Sequence, residues 1–308
     1  MVSKALPSLI LRQLQQAEPN ADFTATLPRV QSSSGKRYFV KIGSSREKEQ
    51  YVGEEQSLRA MDAAAPGLVP KMIASGVIGA DGGEATDGDG KPYFVSEYKD
   101  IGSLSDKAGA ALGKRLGEMH KYKSENGKFG FHVPTFCGAT RMRNGWYDTW
   151  EECFSVKIED LLGSLKDGGR GGKLVQKGEE VRSRVIPALL GKLDIEPVIL
   201  HGDLWSGNAG TDSATGEPVI FDPSSYYGHN EADLAIARIF GGFPKSFYKT
   251  YEEQMPKTQP VEEYELRGDL YELFHYLNHA VMFGGGGYAS SAERKMDTLL
   301  GWAESSKL

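Results

Sequence analysis

His201-Gly-Asp-Leu-Trp-Ser-Gly-Asn208 sets a carboxylate, Asp203, five residues ahead of an amide, Asn208, and Phe221-Asp222-Pro223 adds a second carboxylate further on. Phosphoryl transfer from ATP needs these residue types. A carboxylate receives the proton of the acceptor hydroxyl, and oxygen ligands hold Mg²⁺ on the triphosphate. Asp203 suits the first role; Asn208 and Asp222 suit the second. The apolar runs Pro197-Val-Ile-Leu200 and Pro218-Val-Ile-Phe221 read as two strands that hold the loop between them. A polar hairpin turn would also use Asp and Asn, but for turn chemistry alone. Four such positions falling in order on strand ends point instead to a kinase of a small or sugar-like hydroxyl.

Such a kinase also needs a cation for the phosphates. Lys41 lies late in the strand Arg37-Tyr-Phe-Val-Lys-Ile42, the placement of the Lys in a V-A-I-K strand. Glu54 follows in the next helix and can fix the ammonium, whereas Glu55 points about 100° away. A surface Lys and a solvated Glu are the ordinary alternative for either residue taken alone. Protein kinases cover the phosphates with G-x-G-x-x-G. Here the stretch Ala25 to Gly35 has one glycine, and Ser32 to Ser34 read either as phosphate contacts or as a plain turn. Glu97 and Tyr98 occupy the expected hinge, where main-chain groups can meet adenine.

The elements that must position these residues divide in two. Leu6–Gln16 and Arg46–Met61 read as helices, the second stopped by Pro66-Gly67, and Val69–Ile78 and Pro92–Tyr98 as strands. The acidic, glycine-rich stretch at 79–90 reads as a hairpin loop without assigned function. After residue 98 the chain turns helical, with helices expected at Leu112–Tyr122, Trp146–Leu165, Lys173–Lys192, Glu231–Phe240, Glu262–Phe283 and Ser290–Ser305. The basic glycine turn at 168–172 lacks the strand and the Lys-Ser/Thr of a P-loop and reads as a plain loop. Strands first and helices later imply an α+β chain of two lobes, residues 1–98 for nucleotide and 99–308 for the catalytic loop and acceptor.

Composition narrows the partners. The chain has 308 residues, enough for two cored lobes. A net charge of −6 argues against nucleic acid held by counterion release. No apolar run approaches the ~20 residues of a membrane span, and the N-terminal apolar stretch is too short for a signal peptide. Cys137 and Cys153 are the only cysteines and lack zinc-ligand spacing. Two buried thiols in a reducing cytoplasm is the reading they support.

Trp205 stands two residues after Asp203, where its indole face can stack on a sugar and its N–H can donate one bond; core packing is the alternative. With this residue the loop becomes specific. His201-Gly-Asp-Leu-Trp-Ser-Gly-Asn208 followed by Asp222-Pro-Ser-Ser-Tyr-Tyr-Gly-His229 resembles the fructosamine-3-kinase family, including ribulosamine-3-kinases. Phe39-Val-Lys41, Lys128-Phe-Gly-Phe-His132 and Tyr276-Leu-Asn-His279 agree, and the likeness runs from about Phe39 to Phe283. Kinases of aminoglycosides and choline share only the Asp…Asn…Asp skeleton.

The resemblance implies a protein-kinase-like, aminoglycoside phosphotransferase-like fold. It implies MgATP-dependent phosphorylation of the 3-hydroxyl of a ketosamine, the adduct of a sugar with a protein lysine or a small amine. A phosphate on carbon 3, beside the carbonyl at carbon 2, is a good leaving group, so the adduct collapses and frees the amine. Asp203 would then be the base, Asn208 and Asp222 the Mg²⁺ ligands, Lys41 the phosphate contact and Trp205 the sugar platform. His229 and Glu231 would face the acceptor, with helix capping an equal reading for Glu231. Asp233, Tyr226, Tyr227 and His120 read as structural. The phosphate-covering stretch lacks the cysteine through which some members form an intermolecular disulfide, and a monomer or weak dimer is expected. A kinase of another small alcohol and a nucleotide-binding pseudokinase are the competing readings. Ribulosamine is favoured over fructosamine only because the smaller sugar fits either pocket.

Overall fold

The computed structural model describes residues 6–85, 90–170, 172–284 and 287–306. Alternation of side chains along one strand sets the N-terminal half. In β3 (Arg37–Ile42), Tyr38 and Val40 turn to one face, and Phe39 and Lys41 to the other. The first face packs on Leu9, Ile10 and Leu14 of α1 (Ser8–Ala17), together with Val30, Ala74 and Val95. The second face is left for the cleft. β3 is the central strand of an antiparallel sheet ordered β1-β2-β3-β5-β4, with β1 Phe23–Thr26, β2 Arg29–Ser32, β4 Met72–Ile78 and β5 Lys91–Glu97. Lys41 stands opposite Phe94 in this register, and Tyr38 opposite Glu97.

Helix α2 (Lys48–Ala64) is entered through a 3-10 turn, where the Glu47 carboxylate accepts from the N–H and hydroxyl of Ser44, both at 2.7 Å. Its Leu58 and Met61 enter a second core, shared with the helical C-terminal half. There β6 (Ile101–Gly102), β10 (Ala209–Asp212) and β11 (Pro218–Ile220) form one small antiparallel sheet, and β9 (Val198–Leu200) and β12 (Tyr226–Gly228) another. The segment 201–208 therefore spans from one sheet to the other, and residues 221–225 return beside it. A hairpin of β7 (Thr135–Cys137) and β8 (Thr140–Met142) lies on the opposite wall.

The helices are α3 (Asp106–Met119), α4 (Trp150–Asp167), α5 (Gly172–Glu180), α6 (Ile186–Leu190), α7 (Ala235–Phe240), α8 (Lys245–Gln254), α9 (Tyr264–Phe283) and α10 (Tyr288–Ser305). The single helix expected over 173–192 is interrupted by a π turn at Val181–Val185. Pro187 has no N–H to give Ser183, and a wider turn relieves the clash of its ring with that carbonyl. Helix α8 has no counterpart among the elements expected from sequence. It buries only Phe247 and Tyr251, against a glycine-lined face of α3, where a Cβ on Gly113 would lie 2.2 Å from the Phe247 carbonyl. Among the described residues no helix is long and apolar enough to cross a membrane.

Candidate active site

Asp233 holds the segment 201–208 in place. Its carboxylate accepts from the main-chain N–H of His201 at 2.8 Å and of Gly202 at 2.7 Å, and from His120 Nε2 at 3.1 Å. Burial pushes this carboxyl up, but the His120 and Gly202 bonds outweigh it and hold it below the usual range. His120 gives its other nitrogen to Tyr251 at 2.8 Å, the satisfied core histidine expected from its helix face. His201 Nε2 donates to the Phe221 carbonyl at 3.0 Å, which leaves Nδ1 to accept from Asp203 N–H at 3.2 Å. The glycine between them is required. Gly202 has φ +81°, and a Cβ there would sit 2.0 Å from the Ser224 carbonyl.

On this frame Asp203, Asn208, Asp222, Lys41 and Glu54 line one cavity of about 190 Å³. Lys41 Nζ meets the Glu54 carboxylate at 2.7 Å, as the spacing predicted. Burial raises the Glu54 pKa, Lys41 pulls it back, and Asp222 adds to the rise. Asn208 Nδ2 donates to the Asp203 carbonyl at 2.9 Å, which reserves Oδ1 for a cation. Together with the Asp222 carboxylate this is a hard, all-oxygen donor set, and it fits Mg²⁺.

Asp203 is pushed up to about 6, first by burial and further by the charges of Asp233 and Asp222, against the Cys137 thiol and Asn208, which favour the carboxylate. A group poised there is ionised at neutral pH yet can take a proton. For a base, only the carboxylate is active. We therefore expect kcat/KM to fall tenfold per unit below about pH 6 and to level off above it, as a pH–rate profile would show.

Two larger cavities open on either side of this centre. One, of about 460 Å³, shares Glu54 and Asp222 with it and is lined by Phe39, Phe94, Glu97 and Tyr98. The N–H groups of Glu97 and Tyr98 are already given to the carbonyls of Lys71 and Arg37, so the hinge carbonyls are what these residues offer a base. Pro28, from the β1–β2 turn, also reaches this cavity. Ser32–Ser34, the expected phosphate contacts, lie at the other end of β2. There Ser32 and Ser34 bond each other at 2.9 Å, and Ser33 accepts from Asp22. The strand register thus brings Pro28, and not the serines, to the cleft.

The other cavity, of about 300 Å³, shares Asp203, Trp205 and Gly138 with the centre and is walled by Ile236, Phe240, His279 and Tyr288. Trp205 is 40% exposed and meets the Phe240 ring edge-on, with centroids 6.1 Å apart. Phe240, His279 and Tyr288 continue the aromatic wall, with centroids 5.3 and 4.9 Å apart. Gly207 lets the indole lie flat, since a Cβ there would fall 2.2 Å from the ring.

The family model described as fructosamine kinase matches residues 20–301. The chain belongs to the fructosamine kinase family. It is 38% identical over 264 residues to the chloroplastic protein-ribulosamine 3-kinase of Arabidopsis thaliana, covering 85% of this chain and 76% of the relative. To the ketosamine-3-kinase of Mus musculus it is 36% identical, covering 83% and 85%. Among solved structures, a candidate fructosamine-3-kinase from Haemophilus somnus 129PT superposes with a TM-score of 0.77 at 20% identity, over 95% of this chain and 97% of that one. The chain thus has the protein-kinase-like, aminoglycoside phosphotransferase-like fold expected from the sequence, with a sheet in the N-terminal region and helices after it.

His229 and Glu231, expected at the acceptor of this fructosamine kinase family member, line none of the three cavities. Strand β12 carries the chain inward after Asp222. His229 is buried, with its nitrogens 2.7 Å from Tyr271 Oη and 2.8 Å from Thr258 Oγ1. Glu231 forms a two-point pair with the fully buried Arg267 at 2.7 and 3.0 Å and accepts from Thr258 N–H. Its work is structural. Glu231→Ala is expected to lower stability by about 3–5 kcal/mol, read as a denaturant midpoint, and to leave the acceptor KM of the folded protein unchanged. The basic turn is structural as well. Arg170 donates to the Ala280 and Val281 carbonyls at 2.9 Å, capping the end of α9. Both cysteines are free and buried.

Sequence reasoning missed most of the wall of the cavity beside Trp205. Asn278, His279, Met282 and Phe283 are neighbours on the last turns of α9, at i, i+1, i+4 and i+5, a helical spacing that reads equally well as core. The 64% exposure of Phe283 is what separates it from core.

Proposed function

We propose that this fructosamine kinase family member is a ketosamine 3-kinase that phosphorylates ribulosamine or fructosamine adducts on protein lysines or small amines. One observation carries the reading. Asp203 stands where a polar cavity holding Lys41 and Asp222 meets a cavity walled by Trp205, Phe240 and His279. Aromatic faces suit the C–H surface of a sugar, and the carboxylate suits its hydroxyl.

In this reading residues 1–98 carry the nucleotide and 99–308 the acceptor. Adenine lies between Phe39 and the hinge at Glu97–Tyr98. Lys41, fixed by Glu54, binds the phosphates. Mg²⁺ held by Asn208 and Asp222 would neutralise charge on the triphosphate. Trp205 aligns the sugar so that its 3-hydroxyl meets Asp203. The bond from O3 to the γ-phosphorus forms as the bond from that phosphorus to the leaving ADP oxygen breaks, and the hydroxyl proton passes to Asp203. The neutral acid then returns its proton to solvent.

The test offers purified protein a panel of fructose-, ribulose- and erythrulose-derived amines beside aminoglycosides and amino alcohols. ADP release should require a ketosamine, and phosphorus NMR should place the phosphate on carbon 3. Turnover confined to another alcohol would overturn the reading, and so would nucleotide binding without turnover on any acceptor.

A further inference from the structure

Beneath Asp203 lies a cluster that phosphoryl transfer leaves unused. Cys137 at the end of β7 and His275 in α9 each bring one donor atom to the Asp203 carboxylate, and the three atoms lie within 4.8 Å of one another. Cys137 is 2% exposed and His275 4%. Asn278, three residues after His275 and fully buried, gives Nδ2 to the Cys137 carbonyl at 3.2 Å. Asn278 Oδ1 and His275 Nδ1 are both buried with no hydrogen-bond partner among the described residues. Leaving such an atom unpaired costs about 1–3 kcal/mol, so these two, one helical turn apart on α9, call for a partner.

We propose that Cys137, Asp203 and His275 form a three-ligand site for a thiophilic divalent ion of the zinc class, and that filling it blocks phosphotransfer. A thiolate, an imidazole and a carboxylate are the ligand types such ions take, with bonds of about 2.0–2.3 Å. Tetrahedral bonds of that length put donors about 3.3–3.6 Å apart, so a contraction of roughly an ångström closes the site. Charge also balances: a thiolate and a carboxylate neutralise a divalent ion, which burial demands. Binding displaces the proton of the Cys137 thiol to solvent and leaves His275 neutral, its state here because burial lowers its pKa to about 3.

Access and selectivity follow from the surroundings. Cys137, Asp203 and Asn278 line the acceptor cavity, so an ion enters by the acceptor's route. The thiolate disfavours Mg²⁺, which keeps the all-oxygen pair Asn208 and Asp222. Two ions are thereby sorted by ligand softness on either side of one carboxylate. The blocking effect rests on Asp203 being the base; the site itself does not.

Co²⁺ is the probe, titrated into the full chain without nucleotide or acceptor. A thiolate-to-cobalt charge-transfer band should appear at one equivalent. Cys137→Ser should abolish it, Cys153→Ser should leave it, and His275→Asn should weaken Co²⁺ binding at least about tenfold. Zn²⁺ should inhibit phosphotransfer, a chelator should restore it, and extra MgATP should not. If Cys137→Ser fails to fold, Cys137→Ala carries the same test. Absence of the band, or a band that follows Cys153, overturns the site. Zn²⁺ inhibition that survives loss of the Cys137 thiol, or a band without inhibition, overturns the blocking of Asp203. The band needs no acceptor, so a protein inactive on ketosamines would still test the site.

Discussion

Asp203→Asn is expected to cut turnover by about 10²–10⁴-fold, leave ATP affinity near that of the parent protein, and make the fold more stable. The first two effects follow from the position of the carboxylate, at the acceptor side of the cavity that holds Lys41 and Asp222. The third follows from its pKa. Asp203 rises from an ordinary 3.8 to about 6, chiefly through burial. Between those values the folded state holds a proton that the unfolded state has released, so stability falls as pH rises through that window. Above about pH 6 the loss is complete, at roughly 3 kcal/mol. Asparagine never incurs it. The variant should therefore exceed the parent by up to that amount at neutral pH, and the gap should close towards about pH 4. Denaturant midpoints at several pH values measure it. A gap independent of pH would refute the desolvation argument, and near-normal turnover would place the base elsewhere.

The two halves of the site were unequally legible. Asp203, Asn208 and Asp222 sit on one segment and its return, framed by strands short enough to read, and Lys41 and Glu54 sit on consecutive elements. Local spacing sufficed for all five. The wall of the cavity beside Trp205 draws Cys137, Phe240, His279 and Tyr288 from four separate elements. Nothing local ties them, because tertiary packing alone brings them together. His229 and Glu231 show the converse: they are close to Asp222 in sequence, but β12 turns them into the core beside Tyr271 and Arg267. Helix α8 was hidden for a related reason. Its signal is not in its own pattern but in the glycine face of α3 that receives it, more than a hundred residues earlier.

Asp222 presents a second separation of stability from chemistry. It is a non-glycine residue at φ +55°, in the left-handed region, which costs an L-residue roughly 1–2 kcal/mol and is met most often at functional sites. Glycine adopts that backbone without the penalty, although it gives up some unfolded-state entropy. Asp222→Gly should thus unfold at a temperature equal to or above that of the parent, while Asp222→Ala keeps the strain. Both should lose at least about 10² in turnover, since both remove the charge that faces the triphosphate. Both should also lose the dependence of ATP affinity on Mg²⁺ that the parent is expected to show. Melting curves, turnover and ATP titrations with and without Mg²⁺ distinguish the contributions. If Asp222→Gly proved less stable than Asp222→Ala, the backbone at 222 would not be under strain. If either variant kept parental turnover, the carboxylate would be serving the fold and not the phosphate. The expected pattern, intact folding with lost activity in the glycine variant, would mark Asp222 as a residue held in an unfavourable conformation because of where it puts its carboxylate.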